Sequence, residues 1–256
     1  MYSGSFWKGR RGMEKKRILG ISSSPRKSAN TDFILQYALK CAEEYDFIET
    51  EAVYLRDYEI HPCNSCVGCC TKAAERNGGE FACLSFRDGM DEIYPKLLSC
   101  DGLILASPVY FGQINAQMKA FMDRTEGLLR YGFSRYRNAL SGKVGGALTV
   151  GGNRNAGEEF TLQGIHYYFH VQDMIVVGSG NVPIPGCYLG GGSTTFPDRG
   201  RCRDGVQRDE IGLKSCGNLG RRVAKTIGLL NGIDLGPEDP LTLLAEESFR
   251  KANGFD

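Results

Sequence analysis

Five cysteines lie close together in the first third of the sequence, and their side chains offer the clearest chemistry. Cys63, Cys66 and Cys69 are spaced at three-residue intervals, and Cys70 and Cys83 follow. On a compact loop or a single helical turn, this spacing brings three sulfur atoms towards one point. Thiolates are the ligands of iron–sulfur clusters, which take four of them. The cysteines therefore predict a cluster that exchanges single electrons.

The fourth ligand is either Cys70 or Cys83. Cys70 directly follows Cys69, so its side chain is expected to point elsewhere, whereas the loop that leads to Cys83 is long enough to return. We therefore expect Cys83 to complete the set. A zinc site, a redox disulfide and free thiols are the competing interpretations. Structural zinc usually has two separated cysteine pairs, so the denser triple favours iron–sulfur first, zinc second and a disulfide third.

A hydroxyl-rich loop, SSSPRKSANT, follows the first predicted strand. Short hydroxyl side chains and free backbone amides just before a helix can wrap a phosphate, and the helix dipole favours the anion. The loop matches neither a GxGxxG nor a Walker motif, and the alternative is a serine-rich turn with an N-cap at Ser28 or Asn30. The candidate phosphate-binding residues are Ser22, Ser24, Arg26, Ser28, Asn30 and Thr31.

Two later loops carry aromatic residues, glycines and amides at strand ends. The first loop can lie along a flat ring, and the second can hydrogen-bond the polar edge of that ring, because glycine lets the backbone approach closely. The alternative is that the aromatic pair belongs to the core and that the glycines form only a turn. The candidate ring-binding residues are Pro108, Val109, Tyr110, Phe111, Gly112, Thr149, Gly151, Gly152 and Asn153.

Strand and helix patterns alternate along the chain, which predicts an α/β fold with a parallel sheet and helices on both faces. Strands are predicted over 17–21, 48–55, 102–106, 144–150 and 174–177, and the longest helices over 30–44, 113–129, 158–170 and 209–230. Five such units suit a flavodoxin-like, doubly wound sheet in the order 2-1-3-4-5. The three loops would then open on one crevice, and a phosphate site beside a flat-ring site predicts FMN.

The predicted organisation has an N-terminal extension (1–16), one FMN-binding domain (17–235) and a C-terminal tail (236–256). The cysteines form an insertion after the second strand, the cluster loop over 61–86, and a helical extension closes the domain. The stretch 183–205 is rich in glycine, proline and arginine, which predicts a long loop.

Composition excludes several classes of protein. The 256 residues carry a formal net charge of +1, so no charge bias indicates binding to nucleic acid or to a membrane surface. The longest apolar stretches are too short to span a bilayer, and no signal peptide is recognised. Ten cysteines without an export signal favour metal or redox use in a reducing cytoplasm.

Six segments of the sequence resemble the iron–sulfur flavoprotein family, within the NAD(P)H-dependent FMN reductases on a flavodoxin-like fold. The resemblance extends over residues 18–178, and its marks are ISSSPRKSANT, CNSCVGC, DGMDEI, ASPVYFG, MKAFMDR and GGNRNAGEE. The phosphate loop and SPVYFG are shared with plain flavin reductases. The cysteine motif is what selects the iron–sulfur subfamily.

The resemblance implies FMN together with a [4Fe–4S] cluster, held by CxxCxxC and a fourth cysteine a few residues on. Cys63, Cys66, Cys69 and Cys83 take these places here. The sequence departs from the compact motif, because the last spacing is longer and Cys70 is extra, although GEFAC before DGMDEI favours Cys83. The family also implies homodimers or homotetramers, in which a cluster approaches a flavin across a subunit interface.

The expected function is electron transfer. A one-electron donor such as ferredoxin would reduce the cluster, and FMN would deliver two electrons to a small-molecule acceptor such as oxygen, peroxide or a quinone. No catalytic side chain is predicted, because the cofactors carry the chemistry. One alternative is an NAD(P)H-dependent FMN or quinone reductase with a structural zinc at the cysteines. The other is a redox sensor or electron carrier that is not an enzyme.

Overall fold

The structure is a computed structural model. It describes residues 14–70, 83–129, 136, 138–153, 155–180, 188–198, 202–231, 247–248 and 251–252. The expectations for the N-terminal extension before residue 14 and for most of the C-terminal tail lie outside the described residues.

In the described part of the chain, six strands form one sheet, in which every pair of neighbours is parallel. The order is β2-β1-β3-β4-β5, and β6 also pairs with β4. The predicted flavodoxin-like order of the first five strands is therefore confirmed. The strands are β1 (Lys16–Ser22), β2 (Ile48–Tyr54), β3 (Gly102–Pro108), β4 (Val144–Gly151), β5 (Ile175–Val177) and β6 (Gly191–Thr194).

Among the described residues, five helices connect the strands or follow them. The predicted helix over 113–129 is shorter than expected, because Asn115 caps its start through the backbone N–H of Met118 and a separate short turn, Glu126–Leu128, follows its end. The helices are α1 (Asn30–Ala42), α2 (Met90–Ser99), α3 (Ala116–Asp123), α4 (Glu158–Val171) and α5 (Glu210–Leu230). None of the helices in the described ranges is long and apolar enough to cross a membrane.

The helices cover both faces of the sheet. α1 and α5 pack on the face that buries Ile18 and Ile104, whereas α2, α3 and α4 pack on the face that buries Leu19 and Leu103. Successive strand residues point to opposite faces, so neighbours in sequence belong to separate cores. Because both faces are filled with apolar side chains, the open ends of the strands are left for polar groups.

One edge position of the sheet is shared by two short strands. β5 pairs with the first part of β4, at Val144–Gly146, and β6 pairs with the last part, at Leu148–Gly151. The prediction of a continuous loop over 183–205 was therefore wrong at β6. Its sequence, GGST, has no apolar side chain, since a Cβ at Gly191 would lie 2.7 Å from Cα of Cys216 in α5. Close packing against α5 leaves no room for a side chain at Gly191, so the apolar alternation that usually indicates a strand is missing here.

Candidate functional site

The loop between β1 and α1 is shaped by a buried carboxylate in the first turn of α1. Asp32 Oδ1 accepts a hydrogen bond of 2.7 Å from Ser22 Oγ, and Oδ2 accepts one of 2.9 Å from the backbone N–H of Ser28. The guanidinium of Arg56 pairs with the same carboxylate at 2.9 Å. Sequence reasoning missed Asp32, although an acidic residue in a first helical turn is a recognisable signal.

A segment that follows β6 lies against this loop. The side-chain amide of Asn30 donates to the carbonyl oxygen of Cys202 at 2.8 Å and accepts from the backbone N–H of Val206 at 3.2 Å. Arg203 Nη1 donates to the carbonyl oxygen of Lys27 at 3.0 Å. The Asn30 side chain therefore joins the start of α1 to the approach to α5, instead of facing outwards.

The remaining candidate phosphate residues differ in exposure. Ser24 Oγ donates to the carbonyl oxygen of Arg26 at 2.9 Å, which closes a tight turn. Ser28 has a left-handed backbone with φ of 51° and is exposed, whereas Thr31 is buried. The hydroxyl groups at the start of the loop thus hold its shape, and Arg26, Lys27 and Ser28 lie towards its surface.

The loop after β3 is a tight reversal that displays two aromatic rings. Tyr110 and Gln113 exchange backbone hydrogen bonds of 2.9 and 3.0 Å, and Phe111 and Gly112 between them have φ of 51° and 76°. Two left-handed central residues define a type I′ turn. Phe111 is fully exposed and Tyr110 is 48% exposed, so the alternative that this pair belongs to the core was wrong. Pro108 and Val109 before them are half-buried.

Buried hydrogen bonds join these loops at the carboxyl edge of the sheet. The side-chain amide of Asn115 donates to the carbonyl oxygen of Ser23 at 2.7 Å, which connects the loops after β1 and β3. Thr149 is fully buried, and its hydroxyl donates to the carbonyl oxygen of Ser107 at 3.0 Å, which connects the ends of β3 and β4. The structure therefore places the predicted phosphate loop and aromatic turn side by side.

The loop after β4 contacts the aromatic turn where Gly157 packs against Gly112. A Cβ on Gly157 would lie 2.5 Å from Cα of Gly112, and Gly157 has φ of 105°. Gly151 is less confined than Gly157, because a Cβ there would meet the carboxylate at the end of the Glu158 side chain. Between them Gly152 is half-buried and Asn153 is exposed, while Arg154 lies outside the described residues. The three loops that the sequence analysis singled out thus share one edge.

Described residues of the cysteine segment, from 63–69 and 83–86, line a separate cavity of about 330 Å³ beside α2 and α3. Four of the five clustered cysteines line it, and Cys70 does not: its side chain is 2% exposed and belongs to the interior. No disulfide joins any of the cysteines that the structure describes. Within the described ranges, no three His, Cys, Asp or Glu side chains come close enough together to hold a single metal ion. The lining cysteines are Cys63, Cys66, Cys69 and Cys83.

The backbone between these cysteines is strained in a specific way. Ser65 and Val67 both have left-handed φ values, 56° and 49°, and a β-branched residue rarely adopts this conformation. The N–H of Ser65 donates to Cys63 Sγ at 3.4 Å, and Ser85 Oγ donates to Cys66 Sγ at 2.9 Å. The Ser85 hydroxyl, and then the N–H of Gly68, lower the pKa of Cys66. Such turned N–H groups form concavities that receive anions.

An ion pair closes the base of this segment. Arg124 contacts Asp88 through both Nη atoms, at 2.6 and 3.1 Å, and both side chains are at most 2% exposed. Arg124 Nη1 also donates to the carbonyl oxygen of His61 at 2.8 Å, and the N–H of His61 donates to Asp88 at 3.0 Å. Burial alone would raise the pKa of Asp88, but these donors and the N–H of Met90 hold it at about 2.

The comparisons with known proteins identify the family of this chain. The NADPH-dependent FMN reductase family matches residues 16–188. An iron–sulfur flavoprotein of Methanocaldococcus jannaschii is 39% identical over 84% of this chain and 98% of its own length. The chain belongs to the iron–sulfur flavoproteins. A second member, from Methanosarcina thermophila, is 37% identical to this iron–sulfur flavoprotein over 84% of the chain and 96% of the relative.

A solved structure supports the fold of this iron–sulfur flavoprotein. RosB, determined with a bound intermediate, superposes with a TM-score of 0.59 over 92% of this chain and 87% of RosB. The two sequences are 14% identical, so the likeness concerns the fold alone. Membership of the FMN reductase family makes the protein a flavin-dependent oxidoreductase, with FMN as its flavin.

Proposed function

We propose that this iron–sulfur flavoprotein takes single electrons from a donor such as ferredoxin and passes them to a small oxidant through a [4Fe–4S] cluster and FMN. The supporting observation is that Cys63, Cys66, Cys69 and Cys83 line one cavity, whereas Cys70 is buried away from it. When bound, the cluster supplies one-electron exchange and the flavin supplies two-electron chemistry.

The four thiols fit the ligand set of such a cluster. Four thiolates on one cavity match its requirement, and the strained turn at Ser65 and Val67 directs N–H groups towards sulfur. Hydrogen bonds to sulfur stabilise the negative charge on the ligands, as Ser85 does for Cys66. The wall also has an open side, because Cys63 and Cys66 are exposed, so a protein donor can approach.

The flavin phosphate is assigned to the loop before α1. Its backbone amides and the N-terminus of α1 provide a site for an anion, with Arg26 and Ser28 near the surface. Ser22, Ser24, Asn30 and Thr31 remain part of the proposed site, and the first three act by holding the loop in shape through their hydrogen bonds.

The flavin ring is assigned to the two loops that meet at Gly112 and Gly157. The exposed rings of Tyr110 and Phe111 cover its apolar part, together with Pro108 and Val109. The backbone from Gly151 to Asn153 serves its polar edge, and Thr149 supports that strand end through its bond to Ser107.

A second copy of the chain is proposed to complete the flavin environment, in a homodimer or homotetramer. Phe111 is fully exposed, and Phe160 and Tyr167 on the outer side of α4 are 62% and 72% exposed. Large apolar side chains that are exposed together commonly mark a protein interface. Sedimentation of the FMN-loaded protein tests this assembly, and a monomer at micromolar concentration would contradict it.

NAD(P)H is a second candidate donor, favoured by the match to the NADPH-dependent FMN reductase family. The cluster is tested on protein purified without oxygen, by its iron and acid-labile sulfide content and its electron paramagnetic resonance spectrum. Turnover of an acceptor is then measured with reduced ferredoxin or with NADPH. We expect sulfide, a cluster signal on reduction, and turnover with ferredoxin. Absence of sulfide would support the zinc-containing reductase, and cluster oxidation without turnover would support the sensor.

A further inference from the structure

We propose that Arg124 is a positioning residue that raises the reduction potential of the cluster at the cysteine cavity. The inference rests on the proposed function, because it concerns the group that the four cysteines would hold. Arg124 lies at the end of α3, and its side chain is 1% exposed. It forms part of the same cavity wall as Cys83.

The wall of the cavity carries a particular arrangement of charge. Among the described residues that line it, Arg124 is the only cation, beside the carboxylates of Asp123 and Glu126. Asp123 is paired with Lys119 on the surface of α3. Asp88, the partner of Arg124, is not part of the described wall. The ion pair is therefore oriented, with its positive end towards the sulfur ligands and its negative end behind.

The guanidinium is held firmly in this orientation. Two hydrogen bonds to Asp88 and one to the carbonyl oxygen of His61 fix its plane. The ring of Phe86 lies 5.1 Å from the guanidinium carbon, and His61 stacks on the same ring with centroids 5.0 Å apart. An arginine side chain keeps its charge at any pH at which the protein is folded. The charge is thus permanent and cannot turn away from the cavity.

A fixed buried cation changes the balance between the two states of the cluster. Reduction adds one electron, taken from the donor, and so adds one negative charge beside Arg124. The attraction is large where water is excluded, and it stabilises the reduced state more than the oxidised one. The potential is therefore higher with Arg124 than with a neutral side chain of similar size.

The test compares three proteins by anaerobic redox titration of the cluster signal. Asp88→Asn removes the counter-charge and leaves the cation, so the midpoint potential should rise above that of the unmodified protein. Asp88→Asn/Arg124→Gln removes both charges, so its potential should fall below that of Asp88→Asn. We expect the second difference to reach at least a tenfold change in the reduction equilibrium, which is about 59 mV for one electron.

Lys214→Gln is the control, because it removes an exposed cation, with a side chain 54% exposed, from α5 on the opposite face of the sheet, away from the cavity wall. Solvent and salt screen that charge, so its potential should be unchanged. A purely structural role for Arg124 would lower the cluster content, or would leave the double variant at the same potential as Asp88→Asn. Equal potentials in all the proteins, at full iron and sulfide content, would overturn the inference and leave the proposed function intact.

If the double variant does not retain its cluster, the midpoint potential of Asp88→Asn alone still tests the inference. A potential for Asp88→Asn that equals or falls below that of the unmodified protein would overturn the inference. Absence of sulfide in the unmodified protein would instead refute the proposed function itself, so the two failures are distinguishable.

Discussion

The side-chain amide of Asn115 donates a hydrogen bond to the carbonyl oxygen of Ser23 across 2.7 Å, between residues 92 positions apart in the sequence. Its side-chain oxygen accepts from the backbone N–H of Met118 at 3.2 Å, which caps α3. One buried side chain therefore begins a helix and connects the phosphate loop with the aromatic turn. Binding of the two ends of FMN is expected to depend on this connection.

Asn115→Ala is expected to weaken FMN binding by about tenfold, which corresponds to about 1.4 kcal/mol, because the Ser23 carbonyl loses its buried donor. Fluorescence titration of the protein with FMN measures this. Asn115→Asp is the matched control: it keeps an oxygen to cap α3 but cannot donate to Ser23. It should also bind FMN weakly, whereas normal binding by the Asp variant would show that only the helix cap matters.

Cys83→Ala and Cys70→Ala are expected to differ. The first removes a thiol from the cavity wall, so the broad visible absorption of the cluster should disappear while FMN remains bound. The second removes a buried sulfur that does not line the cavity, so the cluster should be retained with only a small loss of stability. Visible absorption and iron content of the two proteins decide, and loss of the cluster in Cys70→Ala alone would reverse the ligand assignment.

Gly157→Ala is expected to destabilise the protein by about 1–3 kcal/mol and to weaken FMN binding. The new methyl group would displace Gly112, and the left-handed φ of residue 157 is unfavourable for alanine. Gly164→Ala is the control on the neighbouring helix. Its new methyl group would lie 3.6 Å from its nearest neighbour, so the variant should be stabilised by up to about 1 kcal/mol. Denaturant unfolding distinguishes them, and equal effects would contradict the contact between the loops.

The ion pair at Asp88 is expected to make stability depend on acidity. The pKa of Asp88 is lowered to about 2 in the folded protein, so the carboxylate contributes stability at a pH above its unfolded value of 3.8. That contribution, about 2 kcal/mol, is lost as the pH falls from 3.8 towards 2. The difference in unfolding free energy between the protein that keeps Asp88 and its Asp88→Asn variant should therefore shrink over this range.

Denaturant unfolding in a Cys66→Ala background measures this, since that variant is expected to lack the cluster and acid loss of iron cannot contribute. A difference that stays constant down to a pH of about 2 would show that Asp88 is not stabilised as a carboxylate.

Several features of the site were predictable because they depend on short stretches of sequence. The spacing of Cys63, Cys66 and Cys69 places three sulfurs on one loop, and the same kind of local periodicity predicted the alternation of strands and helices. The adjacency of Cys69 and Cys70 made Cys83 the better candidate, and the structure places Cys83 in the cavity wall. These arguments need only local geometry.

Other features depend on residues far apart in the sequence. Asp88 and Arg124 are 36 positions apart, and nothing in either segment, DGMDEI or MKAFMDR, shows that they form a buried pair. β6 was missed because its glycines are required by close packing on α5, which no local pattern displays.

The sequence by itself determined the order of the first five strands, the three loops at the carboxyl edge of the sheet and the set of candidate sulfur ligands, because periodicity and spacing act within one segment. Only the tertiary structure decided which groups stand behind those ligands and which hold the loops together. A charge or a hydrogen bond becomes strong when folding removes water from around it, and that removal is a property of the assembled core.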